Sequence, residues 1–186
     1  VASPATSTLL LGSFPRRTRG GFDFSRRYLT AAAQLGARWM VIRGQPQGNG
    51  ALSDEGYWRR FGELYQLGKE KEAFPAQENV RQHRSARPEF IAGMARYLGE
   101  DCAFVLDVKQ CRMAGARVED MVGAMGPRLV HVHLSDAAPG RPCLLPGAGE
   151  EDLPGLLALL GRAGFAGTLV KEGSRRHFDG EGELAA

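Results

Sequence analysis

The sequence predicts an α/β protein built on a parallel sheet, and two observations carry that expectation. Apolar, β-branched-rich runs alternate with amphipathic stretches, the pattern of repeated βα units. Four of these runs end on a residue of metal-ligand type, in the order Glu78, Asp107, His133 and Glu172. When parallel strands curl into a barrel, their carboxyl ends converge at one mouth. That order would gather three carboxylates and one imidazole around a common point.

The elements follow in turn. The first run covers residues 8–11, and helical spacing of Tyr28, Leu29, Ala32, Ala33 and Leu35 follows, with Ser25 as cap and Gly36 as stop. A second strand covers 38–42, and Tyr57, Trp58, Phe61, Leu64 and Tyr65 then keep helical spacing before Gly68. The third run, 73–78, ends at Glu78; its Pro75 suits only the start of a strand. Pro88 opens a helix carrying Phe90, Ile91, Met94, Ala95 and Leu98, and Gly99 closes it. The run to Asp107 precedes a short helix through Val118, Met121, Val122 and Met125, ended by Gly126. After the run to His133, residues 137–149 read as a Gly- and Pro-rich loop, and Asp152 caps a Leu-rich helix. The last run ends at Glu172, and 173–186 reads as a polar tail. Six strands fall short of the eight that a closed (β/α)8 barrel needs, and an open sheet exposes two edges.

Bulk properties narrow the class. At 186 residues the chain suits a single domain, 1–186, with a buried core. Hydrophobic residues at 43% and charged residues at 24% are those of an ordinary soluble globular protein. A net charge of +3 is too small to argue for nucleic acid. No run approaches the ~20 apolar residues of a membrane span, and residues 9–11 lack the flank and length of a signal peptide. Cys102, Cys111 and Cys143 have no CxxC spacing, which argues against a disulfide framework or a zinc knot and makes a reducing cytoplasm the default location.

His131-Val-His-Leu-Ser-Asp136 is the most specific local motif. Strand alternation puts His131 and His133 on one face, with His133 nearer the mouth. Alone, such a pair reads first as two interior histidines bonded to their neighbours. The acidic strand ends shift that balance. Asp107 ends an apolar Phe-Val-Leu run, where an unpaired carboxylate is costly to bury and a cation removes the cost. Oxygen-rich donors favour one divalent ion, manganese or magnesium, with cobalt or zinc as alternatives. Arg43, Lys109, Arg112 and Arg141 fall in loops after strands, and a basic mouth suits an anionic substrate such as a sugar phosphate. Ordinary solvated surface arginine is the competing reading. Pro146-Gly-Ala-Gly149 reads as a turn before it reads as a phosphate cradle.

Taken in order, these residues resemble the sugar phosphate isomerase/epimerase superfamily, the xylose isomerase-like TIM barrels that also include apurinic endonucleases. The resemblance is carried by Ala33-Gln-Leu-Gly-Ala37, Glu78-Asn79, Leu106-Asp107, the histidine motif, Pro146-Gly-Ala-Gly149 and the strand ending at Glu172. It implies an incomplete TIM-type (β/α) barrel whose six strands are the last six of eight, without the first two βα units. It also implies a metal set of Glu78, Asp107, His133 and Glu172. The implied activity is isomerisation or epimerisation of a sugar or sugar phosphate by proton transfer through an enediolate. Glu78 and Glu172 would then serve as base and acid, and Asp107 and His133 as ligands only. Many relatives carry histidine where this chain has Gln110, which can hydrogen-bond a sugar hydroxyl but does not titrate near neutrality. Arg43, Lys109 and Arg141 join Gln110 as candidate substrate contacts. The endonuclease branch needs histidines where this chain shows Gly12 or Ser13, Arg43, and Arg141 and Cys143, which counts against cleavage of abasic DNA. A related keto-sugar dehydratase, and a degenerate barrel that binds a sugar or protein partner without turnover, are the alternatives. The resemblance leaves assembly as a homo-oligomer open.

Overall fold

The computed structural model describes residues 9–11, 19–46, 52–174 and 176. Its sheet contains β1 (Leu9–Leu11), β2 (Trp39–Ile42), β3 (Phe74–Glu78), β4 (Phe104–Asp107), β5 (Leu129–Leu134) and β8 (Thr168–Lys171). The order is β1-β2-β3-β4-β5-β8 and every neighbouring pair is parallel. Within this sheet the strands follow one another in chain order, the winding of an incomplete TIM-type barrel. The crossovers use α1 (Arg19–Gln34), α2 (Asp54–Lys71), α3 (Pro88–Leu98), α4 (Val108–Met113), α5 (Val118–Met125) and α6 (Leu153–Arg162).

The core fills the space between sheet and helices. Phe61 of α2, Ile91 and Met94 of α3, and Met121 and Met125 of α5 are fully buried with Met40, Phe104, Leu106 and Val132 of the strands. Burying each such side chain is worth about 1.5–3 kcal/mol over leaving it in water. The last unit is looser. Leu157 of α6 and Leu169 and Val170 of β8 remain exposed, and β8 is an edge of the sheet.

Local signals explain several boundaries. Pro88 is the first residue of α3, where its missing N–H is no loss, and Gly99 closes the helix at φ 58°. The Asp152 carboxylate accepts the Gly155 N–H at 2.9 Å and starts α6. Pro75 is the second residue of β3, opposite Met40 of β2. Pairing of β3 with β4 begins only at Gln77, so the ladder on that side is not yet running where proline lacks a donor.

Four expectations are corrected. Ser25 does not cap α1, which already runs from Arg19; Gly20 and Gly21 disguised the first turn. Gly68 does not end α2, which continues to Lys71 and closes with Glu72 in the left-handed conformation. Gly68 is small for another reason: a Cβ there would stand 2.7 Å from the Ala73 carbonyl oxygen, where helix meets strand. Residues 137–149 are not all loop, because β6 (Asp136–Ala138) and β7 (Arg141–Leu144) form an antiparallel hairpin. Finally, α4 follows Asp107 directly and was not foreseen. Gly12 and Ser13, and the tail from 177 onward, lie outside the described residues.

Candidate metal centre

The ends of β3, β4 and β5 supply the centre. Alternation in β3 turns Gln77 toward the helices, where the Tyr57 hydroxyl donates to its Oε1, and turns Glu78 to the opposite face. The Gln77 amide also donates to the Ile42 carbonyl at 3.0 Å and the Glu78 carbonyl at 2.8 Å, fixing the backbone from which Glu78 projects. Asp107 ends β4 and caps α4, its Oδ1 accepting the Gln110 N–H at 2.9 Å. That leaves Oδ2 for the cluster. His133 sits one residue before the end of β5.

Glu78, Asp107 and His133 converge. One ligand-type atom from each lies within 4.8 Å of the others, and all three residues are buried. His133 Nδ1 is 3.0 Å from Glu78 Oε1 and 4.0 Å from Asp107 Oδ2. Donors at ~2.1 Å from one octahedral ion stand about 3 Å apart, so this spacing suits a cation. Glu172 comes immediately after β8, tied by its N–H to the Leu134 carbonyl at 2.8 Å. It does not share the triad's grouping directly. Lys109 Nζ links it, standing 2.6 Å from Glu172 Oε1 and 3.8 Å from Asp107 Oδ2.

The electrostatics are those of crowded acids. Burial and the charge of Glu172 push Asp107 up to about 7, against the pull of the Gln110 N–H and Lys109. Burial pulls His133 down, but the hydrogen bond and charge of Glu78, with Asp107 and Glu172 behind it, leave it above its ordinary value. Burial also pulls Lys109 down, and Glu172 and Asp107 more than restore it. Glu172 Oε2 is buried and has no hydrogen-bond partner among the described residues. A buried carboxylate oxygen without a donor is costly. The donor set of Glu78, Asp107 and His133 fits a divalent ion, which would relieve the repulsion between its acids.

His131 lies on the same face as His133, its ring edge-on at 5.2 Å between centroids. Neither nitrogen has a hydrogen-bond partner among the described residues. Burial first, and His133 second, push it down to about 4, so it is a neutral packing group.

The candidate substrate contacts have the following surroundings. Arg43 Nε is 3.7 Å from Glu78 Oε2. Gln110 Oε1 accepts the Arg81 N–H at 3.1 Å. Arg141 lines a cavity of about 420 Å³ with Lys109, Arg112 and Met113. Arg112 is committed elsewhere, to Glu151 at 2.6 Å and the Ser135 carbonyl at 3.3 Å.

Asn79 and Asp136, present in the sequence motifs, have positioning roles that the sequence does not reveal. Asn79 Nδ2 donates to the Asp107 carbonyl at 3.0 Å and its Oδ1 accepts the Asp107 N–H at 2.7 Å. Its only sequence signal is an amide directly after a strand-ending acid. Asp136 is buried and accepts four backbone N–H groups: Ala137 at 2.7 Å and Glu151 at 3.0 Å on Oδ1, Gly147 at 2.9 Å and Gly149 at 3.0 Å on Oδ2. The glycine loop therefore cradles an anion of the chain itself. Pro146-Gly-Ala-Gly149 is a turn held by Asp136, in agreement with the first reading.

With strand order and acid–imidazole cluster established, relatives can be placed. The profile of the xylose isomerase-like TIM barrels matches residues 2–186. The chain belongs to that family. The uncharacterized protein Rv0498 of Mycobacterium tuberculosis is 36% identical over 76 residues, covering 40% of this chain and 27% of the relative. An uncharacterized protein of Mycobacterium leprae, ML2432, is 37% identical over the same span length. The chain thus spans about a quarter of the length of these curated relatives. Among solved structures, the IOLI protein with a bound zinc atom superposes with a TM-score of 0.67 at 18% identity, covering 84% of this chain and 62% of that one. D-psicose 3-epimerase from Clostridium cellulolyticum gives 0.66 at 14% identity, covering 82% and 55%. The 3-keto-D-glucoside 4-epimerase YcjR from E. coli gives 0.65 at 20%, covering 86% and 65%. At these identities the likeness concerns the fold. No helix among the described residues is long and apolar enough to cross a membrane.

Proposed function

We propose that the protein is a divalent-metal-dependent isomerase or epimerase acting on a sugar or sugar phosphate. The observation that carries this reading is the convergence of Glu78, Asp107 and His133 from three consecutive strand ends. Glu78 Oε1, Asp107 Oδ2 and a ring nitrogen of His133 would hold the ion, with Glu172 Oε2 as a fourth donor. The oxygen-rich set favours manganese or magnesium, with cobalt or zinc as alternatives. Two solved neighbours bear epimerase names and a third holds zinc, which supports the reading.

When bound, such an ion supplies a Lewis acid that acidifies the C–H bond beside a carbonyl. This chain's residues do the rest. Glu78, a member of the cluster, and Glu172, joined to it through Lys109, would be the two carboxylates that take a proton from carbon and return it. Asp107, pinned by Asn79 and the Gln110 N–H, serves as a fixed ligand. Arg43, Lys109 and Arg141 bring positive charge to the mouth for an anionic group, and the Gln110 amide can donate to a hydroxyl.

The test is proton exchange. The protein with Mn²⁺ in D2O should place deuterium at a carbon next to the carbonyl of one ketose or ketose phosphate in a panel read by NMR. A panel without exchange, at full Mn²⁺ occupancy, would remove the enzymatic reading.

A further inference from the structure

Among the described basic residues of the mouth, Lys109 has a position unlike the others. It lies two residues beyond Asp107, in the first turn of α4, and its side chain folds back over the cluster. Its ammonium is 2.6 Å from Glu172 Oε1 and 3.8 Å from Asp107 Oδ2, and the side chain is only 15% exposed. The two acids come from β4 and from the residue after β8, so this cation ties the carboxylate just before α4 to one 63 residues beyond Lys109. Arg43 is 3.7 Å from Glu78 and is 44% exposed, a looser and more screened contact.

We propose that Lys109 is the resident cation of the centre, competing with a divalent ion for Asp107 and Glu172 and thereby setting how tightly that ion is held. The inference rests on the metal reading above and deepens it. Three carboxylates that meet without any cation repel one another, and an ammonium within reach of two of them offsets that repulsion. The same ammonium opposes a second positive charge placed against Asp107 Oδ2. It also occupies Glu172 Oε1, which leaves Oε2 as the Glu172 oxygen without a hydrogen-bond partner among the described residues. An ammonium shifted by an incoming ion has somewhere to go, because Lys109 also lines the cavity of about 420 Å³ shared with Arg112 and Arg141. The consequence is a centre that stays folded without metal and takes its ion reversibly.

The experiment is calorimetric titration of Mn²⁺ into the metal-stripped protein and its variants, with circular dichroism to verify folding. Lys109→Met should bind Mn²⁺ about tenfold more tightly or better, since a competing charge has been removed. Lys109→Gln, which keeps a polar head, should shift the same way, and Lys109→Arg should return the affinity toward that of the unmodified chain. Glu172→Gln added to Lys109→Met should erase most of the gain. Equal or weaker binding by folded Lys109→Met and Lys109→Gln, with binding still abolished by Asp107→Asn, would overturn this inference alone. Absence of Mn²⁺ binding in the unmodified chain and in every Lys109 variant would overturn the metal reading and this inference with it.

Discussion

The Asn79 side chain grips the backbone of Asp107 from both sides, accepting its N–H at 2.7 Å and donating to its carbonyl at 3.0 Å. An amide side chain thus continues the β3–β4 ladder beyond the last paired residues, Glu78 and Val105. It holds Asp107 so that Oδ1 caps α4 while Oδ2 faces His133.

Asn79→Ala should therefore act on stability and on the centre together. Losing two buried hydrogen bonds should cost about 1–3 kcal/mol, read as a lower melting temperature. Freed backbone at Asp107 should weaken Mn²⁺ binding by about 10- to 100-fold, the usual effect of removing a group that orients a ligand. Unchanged Mn²⁺ affinity would reduce Asn79 to a structural residue.

Asp136 makes a separate prediction. Asp136→Asn turns an NH2 group toward two of the four N–H donors that the carboxylate now satisfies. The cost should be about 2 kcal/mol or more, with faster hydrogen exchange at Gly147 and Gly149. Burial pushes the Asp136 carboxyl up, but the N–H groups of Glu151, Ala137, Gly149 and Gly147 outweigh it and hold it below its ordinary value. The native state therefore binds this proton less readily than the unfolded chain. The stabilisation is full above about pH 4, the ordinary carboxylate range, and is lost as pH falls through the lower folded value. Asp136→Asn should lack that acid-side loss in a urea titration at several pH values.

His131→Phe should leave Mn²⁺ affinity unchanged and stability equal or higher at neutral pH. The ring nitrogens it removes have no hydrogen-bond partner among the described residues. A large loss of Mn²⁺ binding would make His131 a ligand instead.

Glu172→Gln should abolish turnover while retaining part of the Mn²⁺ affinity. The amide keeps an oxygen near the cluster but carries no proton between carbon and solvent. Deuterium exchange and calorimetry on the same preparation separate the two effects, and an active Glu172→Gln protein would remove Glu172 from the chemistry.

Much of this arrangement was legible before any coordinates. Asp107 stood out because an acid ending an apolar run has no cheap buried state without a partner. Pro88, Gly99 and Asp152 marked helix ends by chemistry that needs no tertiary context. What escaped reading depends on packing or distance. Gly68 looked like a helix stop, and only the Ala73 carbonyl against it explains its size. The β6–β7 hairpin is too short and too rich in Gly and Pro to show strand alternation. The bond from Lys109 to Glu172 crosses 63 positions and leaves no local pattern. Its consequence, a third acid linked to the triad through an ammonium, belongs to the folded chain alone.

The most direct measurement is a crystal structure of the protein grown with Mn²⁺, read in anomalous scattering at the manganese edge. The account predicts one strong peak bonded to Glu78, Asp107 and His133, with Glu172 reaching it through a single oxygen. Full-length density for the three side chains with no peak between them, or a peak bound elsewhere, would contradict it.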